Sequence, residues 1–376
     1  MVSPPLTSSY AAVGRPLLVT GHPGLLDDLL RLCAAAGVEP DVAPDVAAAR
    51  LLWTSAAAVV VGADLADALS RARLGRRDDV VLVGSDGGQW SGTEEVGEEA
   101  VLWERAVAVG AQDVVFLPTA EPWLVERLAD AAEGRAAAGL LVGVLGGRGG
   151  AGASTLAAAL AVTGSRAGQS SLLVDADPLG GGIDLVLGGE DCAGPRWPEL
   201  AGTRGRVSAA TLRESLPRMA GVPVLSWDRG SGLLVPPEAM DAVLAAGRRG
   251  GGVVVVDLPR RLDPTAELAL ARCDLALLVV PAEVRATTAA ARVVAAARIV
   301  AADLRVVVRG PAPSGLPAGV VAEMLRLPLA ADLPAEPRLA AALERGEPPA
   351  RRGRGPLAGF CRDFLATAAR DHPAAA

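Results

Sequence analysis

Short, nearly continuous apolar runs alternate along this chain with longer segments in which apolar residues recur every three or four positions. Between Arg15 and about Gly134, the runs Leu17–Thr20, Ala58–Val61, Val80–Val83 and Val114–Leu117 predict strands. Leu25–Ala36, Asp45–Thr54 and Pro122–Ala132 have the spacing of amphipathic helices. A second series of strands opens at Leu140–Leu145 and continues through Ser171–Asp175, Pro223–Ser226, Val253–Asp257, Asp274–Val280 and Leu304–Val308. Helical spacing covers Ser154–Arg166, Pro237–Arg248, Val284–Ala302 and Ala318–Arg326. Alternation of this kind implies parallel sheets between helical layers, with ligands at the carboxyl ends of the strands. Strands apolar at every position imply that both sheet faces are covered. The expected organisation is an α/β domain over 15–134, a second over 140–350, and a basic segment with a helix over 351–376; Ala131–Gly139 reads as the link.

Composition narrows the function classes. Of 376 residues, 51% are hydrophobic and 21% charged, which supports a sizeable core. Aromatic residues are 3%, too few for base-stacking platforms, and a net charge of −7 argues against specific nucleic-acid binding. All 36 basic residues are arginine, so no Schiff-base, general-base or phosphate-clamping lysine exists. Cys33, Cys192, Cys273 and Cys361 stand alone, and His22 and His372 lie at opposite ends. That pattern fits neither a zinc site, a disulfide framework nor a Ser-His-Asp triad. Met1–Tyr10 lacks the charge and apolar core of a secretory signal, and the apolar runs fall far short of the roughly 20 residues that span a bilayer. The expectation is a soluble, cytoplasmic protein.

The stretch Gly147-Arg148-Gly149-Gly150-Ala151-Gly152-Ala153-Ser154-Thr155 follows a strand and opens a helix. Its glycines allow main-chain amides to turn around an anion at a helix N-terminus. Against the template G-x-x-x-x-G-K-[ST], Gly147, Gly152 and Ser154 fall in register, Ala153 replaces the lysine, and Ser154 would offer its hydroxyl to Mg²⁺. Gly147, Gly149 and Gly152 also satisfy G-x-G-x-x-G, with Asp175 as the acid a dinucleotide fold requires. A tight turn that binds nothing is the third reading. Two further features favour a nucleoside triphosphatase. Asp175-Ala176-Asp177 runs into the Gly-rich acidic loop Pro178–Asp184, expected to be flexible, and the strand Val253–Val256 ends in Asp257-Leu258-Pro259 like a Walker B strand.

These segments resemble the MinD/ParA group of P-loop ATPases and, within it, the CpaE-like branch with its actinobacterial septum site-determining members. The resemblance covers about Leu140 to Gly346; Leu278–Glu283, Leu329–Pro334 and Leu343–Pro348 also carry it. In that family the loop reads K-G-G-x-G-K-[ST], and its early lysine reaches across a dimer to the partner's nucleotide. Arg148 occupies that early position, and Ala153 the later lysine's, a replacement also seen in CpaE-like members. The resemblance implies ATP and Mg²⁺ at Gly147–Thr155, with Ser154 and Asp257 holding the metal shell. It also implies Asp177 orienting or activating the attacking water and Arg148 as an arginine finger. Where family members place an Asn-Arg pair to read adenine, this chain has Val308-Arg309. The implied function is a nucleotide-dependent homodimer that positions the septum or a pilus or secretion machinery, with cell-division or pilus/secretion proteins as partners and slow hydrolysis at most. A pseudo-ATPase scaffold without turnover is the alternative. A dinucleotide-dependent oxidoreductase is disfavoured by the Asp257 strand end and by the lack of a catalytic His or Lys.

The first half resembles a degenerate response-regulator receiver. Its acidic-pair, phosphoacceptor and lysine positions read Thr20-Gly21, Gly62 and Leu117-Pro118, with Asp64 two residues late. Phosphoryl transfer is not expected there; a docking or self-association surface and a purely stabilising domain are both open. Trp53, Trp90, Trp103 and Trp123 fall in this half without a site-specific meaning. At the C-terminus, Arg351-Arg352-Gly353-Arg354 precedes Leu357, Phe360, Phe364 and Leu365, which share one helix face. MinD-type proteins reach membranes through such a helix. The short face, interrupted by Asp363, favours docking on its own domain, with peripheral membrane contact as the alternative.

Overall fold

The computed structural model describes residues 15–85, 98–132, 139–203, 206–230 and 234–371. Trp90 and His372 lie outside the described residues. The chain divides between residues 135 and 136 into two compact units.

The first unit runs β1 (Leu17–Val19), α1 (Pro23–Ala35), β2 (Asp41–Ala43), α2 (Val46–Leu52), β3 (Val59–Gly62), α3 (Ala63–Ala72), β4 (Val80–Ser85), α4 (Glu98–Val109), β5 (Asp113–Leu117) and α5 (Glu121–Ala132). Its five strands are parallel in the order β2-β1-β3-β4-β5. Successive residues point to opposite faces. Leu17, Val19, Val59, Val61 and Leu82 pack with Ala49, Leu69 and Leu102 of α2, α3 and α4. Leu18, Val60, Val81 and Val83 pack with Leu25 and Leu29 of α1 and Leu124 and Leu128 of α5. Both faces are thus filled, as the continuous apolar runs require.

The second unit runs β6 (Leu140–Gly146), α6 (Ala153–Arg166), β7 (Ser171–Asp175), α7 (Ile183–Val186), α8 (Trp197–Leu200), α9 (Ala209–Ser215), β8 (Arg218–Met219), β9 (Val222–Leu225), α10 (Pro237–Arg249) and β10 (Val253–Leu258). It continues with α11 (Pro264–Arg272), β11 (Leu275–Pro281), α12 (Val284–Ala297), β12 (Leu304–Arg309), α13 (Ala318–Leu325), β13 (Leu329–Leu333), α14 (Leu339–Leu343) and α15 (Pro356–Asp371). The helix expected over Val284–Ala302 stops at Ala297, where a turn leads to β12. The eight strands lie in the order β13-β12-β11-β6-β10-β7-β9-β8, all parallel except the β8–β9 pair.

This order places the site. The chain leaves β6 for β7, returns to lay β10 between them, and then crosses to the far side of β6 with β11. A crevice opens at the carboxyl ends of strands where the winding reverses in this way. Register brings Asp257 of β10 opposite Asp175 of β7, Val279 of β11 opposite Gly146 of β6, and Arg309 of β12 opposite Pro281 of β11. One sheet face carries α6 and α15; the other carries α10 to α13. In α15, Leu357, Ala358, Cys361, Phe364 and Leu365 are buried in the core they share with α6. The apolar face of the terminal helix is therefore covered by its own domain, as its interrupted pattern favoured.

Candidate functional site

The Gly147–Thr155 loop spans the step from β6 to α6. The Gly147 amide donates to the Val279 carbonyl at 2.9 Å, which ties the loop's start to β11. Gly150 and Gly152 adopt φ of +70° and +99°, a region costly for any residue with a β-carbon. Gly152 is the N-cap of α6, and no side chain caps the helix. The amides of the first turn, Ala153 to Thr155, have no intrahelical acceptors, and the helix dipole makes this end positive. An uncapped helix start behind positive-φ glycines suits an anion with several oxygens. Gly149 and Gly150 are exposed, Ala151 is buried, and Ser154 and Thr155 are half-buried at the loop's inner end.

The acids stand on the β7 and β10 side of this loop. Asp175 and Asp257 are buried at adjacent strand ends. Ser154 stands near enough to the Asp257 carboxyl to hold its pKa down in part. Burial, with the charges of Asp175 and Asp177 nearby, pushes Asp257 well above the usual carboxylate range. Burial also raises Asp175, to about 7, against two backbone amides that lower it. Those amides are Asp177 N–H to Oδ1 at 3.0 Å and Ile183 N–H to Oδ2 at 2.9 Å. Asp175 thus fastens both ends of the acidic loop, which is held more firmly than a free loop of this composition would be. Asp184 is buried in α7 and pairs with Arg229 at 3.0 Å. Asp177, half-buried, accepts from the Leu179 amide at 3.1 Å.

The donor set fits a hydrated magnesium ion better than a bare protein-held metal. Among the described residues, no three His, Cys, Asp or Glu side chains are arranged to hold a metal ion. One hydroxyl, one carboxylate behind it, and further negative charge nearby suit a cation that keeps waters and takes phosphate oxygens. A dinucleotide site is disfavoured because Asp175 is buried at 2% exposure and engaged by the Asp177 and Ile183 amides, out of reach of a ribose on the surface.

Arg148 turns inward along its own chain. Its Nη2 contacts both oxygens of Glu283, the N-cap of α12, at 3.1 and 3.2 Å. Arg309 was singled out in the sequence for the asparagine missing before it, yet the structure gives it a more prominent place. A β-carbon built on Gly152 would lie 3.7 Å from its Cδ and 3.8 Å from its Nη1. Its Nε is buried without a hydrogen-bond partner. Gly152, Thr155, Arg309, Pro334, Leu339 and Leu343 line a cavity of about 210 Å³ beside the loop.

In the first unit, Asp64 closes the place where a receiver keeps its acidic pair. Its Oδ1 accepts from Thr20 Oγ1 at 2.9 Å and its Oδ2 from the Gly21 amide at 2.7 Å. His22 caps α1, its Nδ1 accepting from the Leu25 amide.

Fold and site define a CheY-like parallel α/β unit followed by a mostly parallel eight-stranded unit of MinD/ParA-like architecture. The profile of the Rv3660c-like, CheY-like N-terminal domain matches residues 19–139. A ParA family ATPase of Chlorobium tepidum TLS aligns with a TM-score of 0.55 at 15% identity, over 61% of this chain and 99% of that one. The septum site-determining protein MinD of Pyrococcus horikoshii, complexed with Mg-ADP, aligns at 0.50 and 21% identity, over 61% of this chain and 95% of that one. These likenesses establish the fold of the second unit. The chain belongs to the Rv3660c-like family: it is 44% identical to the uncharacterized protein Rv3660c of Mycobacterium tuberculosis H37Rv over 352 residues, 93% of this chain and 94% of the relative.

Proposed function

We propose that this protein is a MinD/ParA-like, CpaE-type nucleotide-binding regulator that positions the septum or a pilus or secretion machinery. It acts as a nucleotide-dependent homodimer on partner proteins, with slow ATP hydrolysis at most. The observation that carries the reading is the uncapped α6 N-terminus behind Gly150 and Gly152, with Ser154 in its first turn and the buried Asp257 at the neighbouring strand end. In this reading the amides of Gly149 to Thr155 and the helix dipole hold the phosphates. Ser154 and Asp257 hold the Mg²⁺ shell; the ion, when bound, neutralises charge on the phosphate oxygens. The apolar cavity takes the base. It is smaller than the roughly 300–1,000 Å³ of a drug-sized ligand site, as a single ring system requires. Asp177 lies close enough to the buried acids to raise them electrostatically, and it orients the attacking water. Arg148 is the arginine finger in the dimer. Charge arriving at the loop reorganises the Asp175–Asp184 segment and favours pairing of two copies.

Thermal unfolding of the purified chain with Mg²⁺ and ATP, ADP or NAD tests the reading, because a ligand that binds the folded state raises its melting temperature. ATP and ADP are expected to raise it and NAD to leave it unchanged. No shift with either adenine nucleotide at millimolar concentration would leave a scaffold acting through protein contacts alone. Phosphate release by the wild type and by Asp177→Ala then tests turnover; equal rates would remove Asp177 from the chemistry.

A further inference from the structure

We propose that Arg309, at the carboxyl end of β12, is the phosphate-binding cation of this site, and that its ligand is the polyphosphate of a nucleoside di- or triphosphate. The inference rests on the nucleotide-binding reading above and assigns its missing positive charge. Amides and a helix dipole supply partial charges, whereas a polyphosphate brings several full ones. The lysine that would meet them from inside the loop is Ala153, and the chain has no lysine elsewhere. Arg148 is already matched by Glu283, and Arg229 by Asp184. Among the described residues, no carboxylate or carbonyl holds the Arg309 guanidinium.

Its placement is what a substitute cation needs. β12 lies beside β11, with Arg309 opposite Pro281, so the side chain extends over the end of β11 to reach Gly152. It lines the cavity on the side of Gly152 and Thr155, where a base in that cavity would join its phosphates to the loop. The buried Nε is an N–H donor with nothing to donate to, a cost that a phosphate oxygen would relieve. A guanidinium is a rigid fork, suited to bridge two phosphate oxygens from outside the loop, whereas a lysine makes a point contact from within. The tolerance of Ala153 follows, because the cation has moved from the loop's helix to a neighbouring strand.

Calorimetric titration of the full chain with Mg-ATP, Mg-ADP and inorganic tripolyphosphate tests this. The variants are Arg309→Met, which keeps the aliphatic stem, Arg309→Lys, and Arg285→Ala, which removes one exposed charge from the first turn of α12. Losing charge-assisted hydrogen bonds should weaken ATP and tripolyphosphate by a similar factor, roughly 10–100-fold, in Arg309→Met. Arg309→Lys should recover part of that loss, and Arg285→Ala should stay within about twofold, as expected of a screened surface charge. Wild-type affinity in Arg309→Met overturns the proposal. A loss for ATP without a loss for tripolyphosphate puts Arg309 on the base and also overturns it. A wild type that binds none of the three ligands overturns the nucleotide reading itself, and this assignment with it.

Discussion

Asp175 and Asp257 are two carboxyls side by side in a space that disfavours two charges. Burial raises Asp175 to about 7 and Asp257 in the same direction. The unfolded chain releases these protons near pH 4, so between about 4 and 7 the folded state holds more protons than the unfolded one. Stability therefore falls as pH rises through that window. Differential scanning calorimetry from about pH 5 to about pH 8 should show a declining melting temperature, with a shallower decline in Asp257→Asn and a partial recovery with Mg²⁺. A flat profile would mean that the pair ionises freely. In the first unit, both oxygens of Asp64 accept hydrogen bonds, from Thr20 and Gly21. Acetyl phosphate with Mg²⁺ should leave the intact mass unchanged; an added phosphoryl group would show that this pocket opens. At this scale the sequence revealed residues whose neighbours are close in the chain. The glycine-rich turn from β6 into α6 and the acids at the ends of β7 and β10 were legible because each announces itself within a few positions. The approach of Arg309 to Gly152 was not legible, since it depends on which strand lies beside β11.

Among the elements, α15 has the clearest energetic role, because its apolar residues complete the core over α6. Phe364→Ala should cost about 3 kcal/mol of unfolding free energy, the usual scale for truncating a buried phenylalanine. A urea midpoint lowered without a change in slope would record it. Since the same face is needed for docking, the wild type should not co-sediment with anionic vesicles; sedimentation would show that α15 leaves α6. A second junction joins the segment after α7 to the turn after α14. A β-carbon on Gly188, at φ +63°, would lie 2.2 Å from the Gly346 carbonyl oxygen. Gly188→Ala should therefore lose roughly 1–3 kcal/mol of stability, read from the same denaturation curves. The long elements were readable from periodicity: β7 runs over Ser171–Asp175 as expected, and α6 starts one residue before Ser154. The elements missed range from the three-residue β2 to the helices α3, α4 and α11, of 10, 12 and 9 residues. Of these, α3 follows β3 without a loop; β13, also missed, is an edge strand, Leu329-Ala330-Ala331-Asp332-Leu333, with only Leu333 buried. Each is held by packing and pairing rather than by its own composition.

For the whole molecule, the two units each close their own cores, with Leu17 to Leu128 in one and Leu140 to Ala368 in the other. Residues 136–376 expressed alone should unfold cooperatively, as a domain with its own core does. A broad, non-cooperative melt would show that the second unit depends on the first. Strand order was the part of the architecture that periodicity could not supply, because alternating strands and helices fit several windings. The winding decides which strand ends share a crevice, and so which side chains act together.

The Arg148–Glu283 pair has a consequence for any meeting of two such molecules. Both side chains are more than one-third exposed, and an ion pair in that setting is worth about 1 kcal/mol or less. Once parted, Glu283 would still stand at the start of α12, where the helix dipole favours a negative charge. Arg148 is therefore parked rather than locked. A stronger anion presented by a neighbouring copy could draw it outward for little energy, and Glu283 would be ready to take it back when that anion departs.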